Sequence, residues 1–277
     1  MKSRKVRRLG AGPFATVIRA VFTVIYVVPL LWILLTSFKQ SKDVLNPSKA
    51  IFFSPTLDAY RGVVEGGLTT ALGQSLAIAT VATMIVVVIA VPAAYALARL
   101  NGALVAASLF ILIMLQMLPQ TSTVIPLFQL FGSIGFLDTN AAVMLADAAL
   151  MTPFSIILLR PFFRNVPMAL EEAASIDGAS SMRTFFSIVL PIVRNGIATT
   201  SVVVFLIIWG EFLYAVNFFQ NPINYPLSAL LAQQVSSYGI NWPGMMALGV
   251  VSAIPIIIIF SASYRLLREG LSVGAVK

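Results

Sequence analysis

Six stretches of predominantly apolar residues, each long enough to cross a bilayer, divide this chain. A helix rises about 1.5 Å per residue, so about 20 apolar residues span the hydrocarbon core. The stretches cover residues 20–38 and 70–98, a third from 103 past Pro119 and Pro126, then 140–159, 196–219 and 245–267. Backbone polar groups in lipid must be satisfied within their own segment, so these runs read as helices. Hydrophobic residues make up 59% of the 277 and charged residues 10%, against about 45–50% and about 25% in an average soluble domain. The mean hydropathy is +0.95. A soluble globular enzyme is excluded. The expected fold is an all-α polytopic membrane protein: one transmembrane domain over residues 1–277, with six transmembrane helices and a cytoplasmic helical segment.

Lys and Arg set the orientation. Fourteen lie on one side of the spans: the N-terminal tail with Arg19, Arg99, the segment between spans four and five, and the C-terminus. Four lie on the other: Lys39, Lys42, Lys49 and Arg61. Both termini are therefore expected in the cytoplasm. The basic N-terminus before an apolar run is similar to a signal peptide, but the run is long and no small-x-small cleavage site follows it, so it reads as a retained first span. Pro29, Pro92, Pro119, Pro126, Pro153 and Pro255 punctuate the spans, where each removes a backbone donor. Ala90, Ala94 and Ala98 recur every four positions and permit close helix packing.

Absent residue types remove whole chemistries. With no Cys and no His there is no thiolate, zinc thiolate site or imidazole base. No Gly-Lys dipeptide occurs, so no Walker A loop cradles a nucleotide. The formal charge of +8 fits anionic lipid headgroups and cytoplasmic loops rather than nucleic acid. No metal, cofactor or catalytic residue is expected in this chain.

Residues 165–191 are too polar to span yet strongly patterned. Pro167 suits the first turn of a helix, and Glu171 and Glu172 fall near its positive end. Asp177-Gly178 signals a turn, Ser180 or Ser181 can cap a second helix, and Pro191 is expected to close that helix before span five. Ala173, Ala174 and Ala179 keep the surface low, so another protein can approach closely. By composition alone an amphipathic connector lying on the membrane remains an alternative.

The run Glu172-Ala173-Ala174, Asp177-Gly178-Ala179, then Phe185, Ile188, Leu190 and Pro191 resembles the EAA loop of ABC importer permeases. The similarity extends to Ser54-Pro55-Thr56-Leu57-Asp58-Ala59-Tyr60, to Ala93-Ala94-Tyr95-Ala96-Leu97-Ala98-Arg99 and to the tail from Gly270 to Lys277. Trp209-Gly210-Glu211-Phe212 resembles a Trp-Asn-Glu/Asp-Phe motif, with Gly210 in place of Asn. On these residues the chain is similar to the carbohydrate-importer, maltose-type branch. The resemblance implies a bacterial or archaeal inner-membrane permease. It pairs with a second permease and couples through Glu172, Ala173, Ala174, Asp177, Gly178 and Ala179 to an ABC ATPase dimer, which uses the ATP and Mg. An extracytoplasmic solute-binding protein delivers the sugar.

Two carboxylates, Asp147 and Glu211, fall inside spans, where ionisable groups face a bundle interior or water. With Trp209 and Tyr214 they are candidates to line a sugar pathway; structural hydrogen bonds to neighbouring helices are the alternative. The outer segment 220–243 is uncharged and carries Tyr225, Gln233, Gln234, Tyr238 and Trp242. These residues fit an interfacial aromatic belt, while the resemblance implies a loop that meets the binding protein. The rival reading of the whole chain is a self-sufficient secondary transporter driven by an ion gradient, which calls for inverted repeats that the sequence does not display.

Overall fold

The computed structural model describes residues 13–275 except Tyr238, and only the backbone of Pro13 and of residues 265–275. The basic N-terminal tail and Lys277 lie outside these residues. Two compact units are present, one from Met1–Gly66 with Gln234–Val251, the other from Gly67–Gln233 with Ser252–Lys277.

In the first unit α1 (Pro13–Ser37) runs unbroken through Pro29 and leaves its apolar surface uncovered. Beyond it Lys39 is buried. Its ammonium donates to the Ala50 carbonyl at 2.8 Å and lies 4.7 and 5.2 Å from the ring centroids of Trp32 and Phe53. A carbonyl and two aromatic faces thus replace the water that this cation gives up. The short helices α2 (Ser41–Val44) and α3 (Asp58–Glu65) follow. A two-residue antiparallel hairpin, β1 (Val235–Ser236) with β2 (Gly239–Ile240), is the only sheet among the described residues. The last helix, α13 (Trp242–Ala275), begins in this unit and continues into the second.

The second unit is built around α4 (Leu68–Arg99) packed along α7 (Asn140–Arg164). Small residues let these backbones approach: Ala79, Ala82, Ala90 and Ala94 on α4 and Ala142 and Ala146 on α7 are buried. Ala90 and Ala94 are thus the packing face expected of them, with Ala98 half-buried. The helix α10 (Leu190–Trp209) packs on both. At Gly196 α10 lies close against α7, since an added Cβ there would sit 2.5 Å from the Phe162 ring.

Three expectations are corrected. The third span is two helices, α5 (Ala103–Met117) and α6 (Gln120–Ser133), bent by 92°. Leu118, preceding Pro119, is held extended and the ladder cannot cross it. The other prolines singled out lie inside continuous helices. Among the described residues five helices are therefore long and apolar enough to cross a membrane, or six spans if the bent pair counts as one. Span five ends at Trp209 rather than near Phe219. After Gly210 the chain leaves the helical path and restarts as α11 (Leu213–Phe218). Pro191 does not close a helix. The elements α8 (Met168–Ile176) and α9 (Ser181–Thr184) form the expected pair, but α9 passes through a π-helical turn, Phe185–Val189, straight into α10. Pro191 sits in the first turn of α10 just beyond this wide turn, where the ladder has already shifted from the carbonyl four residues back.

Candidate coupling segment and intramembrane carboxylate site

The segment 165–191 is anchored from behind by Glu171, a residue to which the sequence assigns no part beyond a place near the helix start. Tyr95 donates its hydroxyl to Glu171 Oε2 at 2.6 Å, and Arg99 donates Nε to Oε1 at 2.6 Å and Nη2 to the Val166 carbonyl at 3.1 Å. The two charged side chains are only 11% and 13% exposed, so water does little to weaken the pair. The Tyr95 ring packs on Phe163 and Phe185, with centroids 5.7 and 4.9 Å away. Arg160 adds a bond to the Leu97 carbonyl at 2.9 Å. Tyr95 and Arg99, one turn apart at the end of α4, were the available signal for this brace.

The opposite face is open. Glu172, Ala173 and Asp177 are exposed, as is Ile176 at 87%, while Ala174 is buried and Ala179 half-buried. Gly178 adopts φ +81°, and the Ala179 amide returns to the Ala174 carbonyl at 2.9 Å. This left-handed step turns the chain from α8 into α9 and favours glycine. Ser180 then caps α9 by accepting from the Arg183 amide. The six residues expected to couple thus share one short corner, with Ala174 turned inward as its packing residue.

The second site lies at the break after α10. Glu211 Oε1 accepts from the Tyr214 amide at 2.7 Å and from Gln120 Nε2 at 2.9 Å, and Oε2 accepts from the Ala215 amide at 3.2 Å. The carboxylate therefore satisfies the first free amides of α11 and ties them to the first residue of α6. Tyr214 is buried and pairs its hydroxyl with Thr123 Oγ1 at 2.6 Å; Trp209 is buried and donates to the Ser252 carbonyl at 3.2 Å. Asp147 on α7 is 1% exposed, and its Oδ2 takes no hydrogen bond from the described residues. The structure brings Asp147 and Glu211, far apart in sequence, onto one cavity of about 330 Å³. Trp209 does not line it, but shares with both carboxylates an adjoining crevice of about 10 Å³. Tyr214 lines neither.

Residues of the outer segment fall in both units. Tyr225 is half-buried and Gln233 exposed at the end of α12 (Leu227–Ala232). Gln234 is committed locally, accepting from Asn241 Nδ2 at 2.8 Å below the hairpin, and Trp242 is the half-buried first residue of α13. Tyr238 lies outside the described residues. The uncharged outer segment has an acidic organiser from elsewhere. Asp138, at φ 62°, accepts from the Gln220 and Asn221 amides and from Asn224 Nδ2.

A family model described as "Binding-protein-dependent transport system inner membrane component" matches residues 87–273. The chain belongs to this family. Its relatives include the trehalose transport system permease protein SugB of Mycobacterium tuberculosis, 34% identical over 90% of this chain and 92% of that protein. Another is the trehalose/maltose transport system permease protein MalG of Thermococcus litoralis, 31% identical over 92% of each. A solved bacterial ABC transporter involved in the import of the acidic polysaccharide alginate shares the fold. Its TM-score is 0.76 at 21% identity, over 96% of this chain and 98% of that one. As an inner-membrane component of a binding-protein-dependent system, the permease is a transport subunit. The self-sufficient ion-driven carrier is set aside.

Proposed function

We propose that this permease is one of two membrane subunits of an ATP-driven importer for a sugar or oligosaccharide. Relatives that carry trehalose and maltose in their names support the substrate class. A separate ABC ATPase dimer, which itself uses ATP and Mg, docks at the corner formed by α8 and α9, and an extracytoplasmic binding protein presents the sugar on the other face. Both termini lie in the cytoplasm of a bacterium or archaeon.

The single observation that supports this most is the two-faced build of the coupling corner. Its outer face is exposed and low, while its inner face is tied to α4 by the Glu171–Arg99–Tyr95 cluster and continues without interruption into α10. A displacement imposed on α8 by a partner is thereby passed to two transmembrane helices at once. At the break after α10, Asp147 and Glu211 are the polar groups placed to meet sugar hydroxyls, with Trp209 and Tyr214 as their packed support. Tyr225, Gln233, Gln234, Tyr238 and Trp242 belong to the surface that meets the binding protein.

The test is co-purification in mild detergent with Glu172→Lys and Gly178→Val. The first reverses a charge on the exposed face of α8, and the second forces a β-branched residue into a left-handed conformation. The tagged wild type is expected to bring down a second permease and an ATPase. Both variants are expected to insert yet lose the ATPase. Retention of the ATPase and normal transport by both variants would remove the docking role.

A further inference from the structure

The cavity at the break after α10 has a chemical bias that the import function does not require. Its charged lining groups, Asp147 and Glu211, are both carboxylates, and no Lys or Arg among the described residues lines it. Gln120 commits an amide hydrogen to Glu211. Glu211 already accepts three hydrogen bonds, whereas Asp147 Oδ2 is buried with no donor among the described residues. A hydroxyl or ammonium on a ligand would supply the hydrogen-bond partner that this buried oxygen lacks. The remaining wall is apolar, including Leu150, Met151, Ile207 and Phe212, and suits the C–H faces of a sugar ring. At about 330 Å³ the cavity is at the small end of ligand sites and takes one ring, not a chain. Gly210 lines it without a side chain, and an added Cβ would have only ordinary contacts at 3.7 and 3.8 Å. The space is thus kept by the absence of a side chain rather than by crowding.

We propose that this cavity is a subsite for one neutral or amine-bearing sugar ring, recognised through its hydroxyl or ammonium donors, and that it refuses acidic sugars. The inference rests on the pathway reading given above. A carboxylate or sulfonate on the ligand would bring a further negative charge beside a carboxylate pair that no cation among the described residues offsets, and would supply acceptors where donors are needed. Asp147 is the specificity determinant. Glu211 is the positioning residue, because most of its capacity is spent on α11 and α6.

The experiment uses the assembled importer in vesicles and exploits the absence of Cys from this chain. A single Cys replaces Met151 in the cavity wall, and its alkylation is followed on this subunit alone. Glucose, glucosamine and glucuronate serve as size-matched probes. Glucose and glucosamine are expected to slow alkylation, and glucuronate is not. Asp147→Asn is expected to weaken protection by glucosamine about tenfold or more, the loss of one charge-assisted hydrogen bond. Gly210→Leu, which fills the cavity while leaving both carboxylates in the chain, is expected to abolish protection by glucose and glucosamine. Equal protection by glucuronate, or protection by none of them, would overturn the proposal. ATP-dependent sugar uptake by the same vesicles is read in parallel. Uptake without protection refutes the subsite alone, and protection without uptake refutes the importer reading alone.

Discussion

Glu171 carries two hydrogen bonds at 2.6 Å on a carboxylate that is nearly buried, and its removal unties α8 from α4. Arg99→Ala is expected to cost about 1.5–3 kcal/mol, since a hydrogen bond to a charged group is lost and a buried carboxylate is left with Tyr95 alone. Glu171→Gln keeps a carbonyl acceptor and is expected to cost less. Thermal unfolding of the detergent-solubilised complex measures the order; an equal effect of the two would show that the ion pair contributes little. The sequence singles out the neighbouring Glu172 because the motif includes it, while Glu171 owes its part to a tertiary contact with α4 that no local pattern reveals. Asp138 is a parallel case. Its left-handed backbone suits Asp or Asn, and it holds three groups of the outer segment. Asp138→Ala is expected to accelerate hydrogen exchange at the Gln220 and Asn221 amides, with Asp138→Asn intermediate. Unchanged exchange in Asp138→Ala would assign the order of that loop to packing instead.

At the scale of elements, the apolar runs made the helices legible because each run must satisfy its own backbone in lipid. Breaks were harder to read. Pro119 marked a site of interruption, yet Pro92 and Pro153 lie in unbroken helices, so proline alone does not separate a kink from a 92° bend. Nothing in the run before Gly210 announced that α10 stops there. The restart depends on Glu211, whose capping bonds exist only once the chain has turned. The π-helical turn Phe185–Val189 was likewise invisible, because it shares its composition with an ordinary helix. The contact of α10 with α7 yields a sharp prediction. Gly196→Ala places a methyl 2.5 Å from the Phe162 ring and is expected to destabilise by about 1–3 kcal/mol through overpacking. Shortening Phe162 in the same chain, as Phe162→Leu, is expected to recover part of the loss. A fully stable Gly196→Ala would mean that the ring moves freely.

For the whole molecule, function was more legible than geometry. The EAA-like run and the intramembrane carboxylates were apparent in the sequence, whereas the meeting of Asp147 with Glu211 on one cavity depends on how α7 packs beside the end of α10. The exposed apolar length of α1 is a surface for lipid or for a partner subunit, in keeping with a subunit of a larger assembly. Orientation is checked by single Cys residues in this Cys-free chain. Cys at Ser48 is expected to react with an impermeant thiol reagent from outside, and Cys at Ser180 is not; the reverse pattern would put the α8–α9 corner on the wrong face for an ATPase. The central claim, that a separate ATPase drives this permease, is tested most directly by initial sugar uptake in vesicles with ATP supplied and the proton gradient collapsed. Uptake is expected to persist without the gradient and to stop when ATP is withdrawn. Uptake that vanishes with the gradient while ATP remains ample would contradict it.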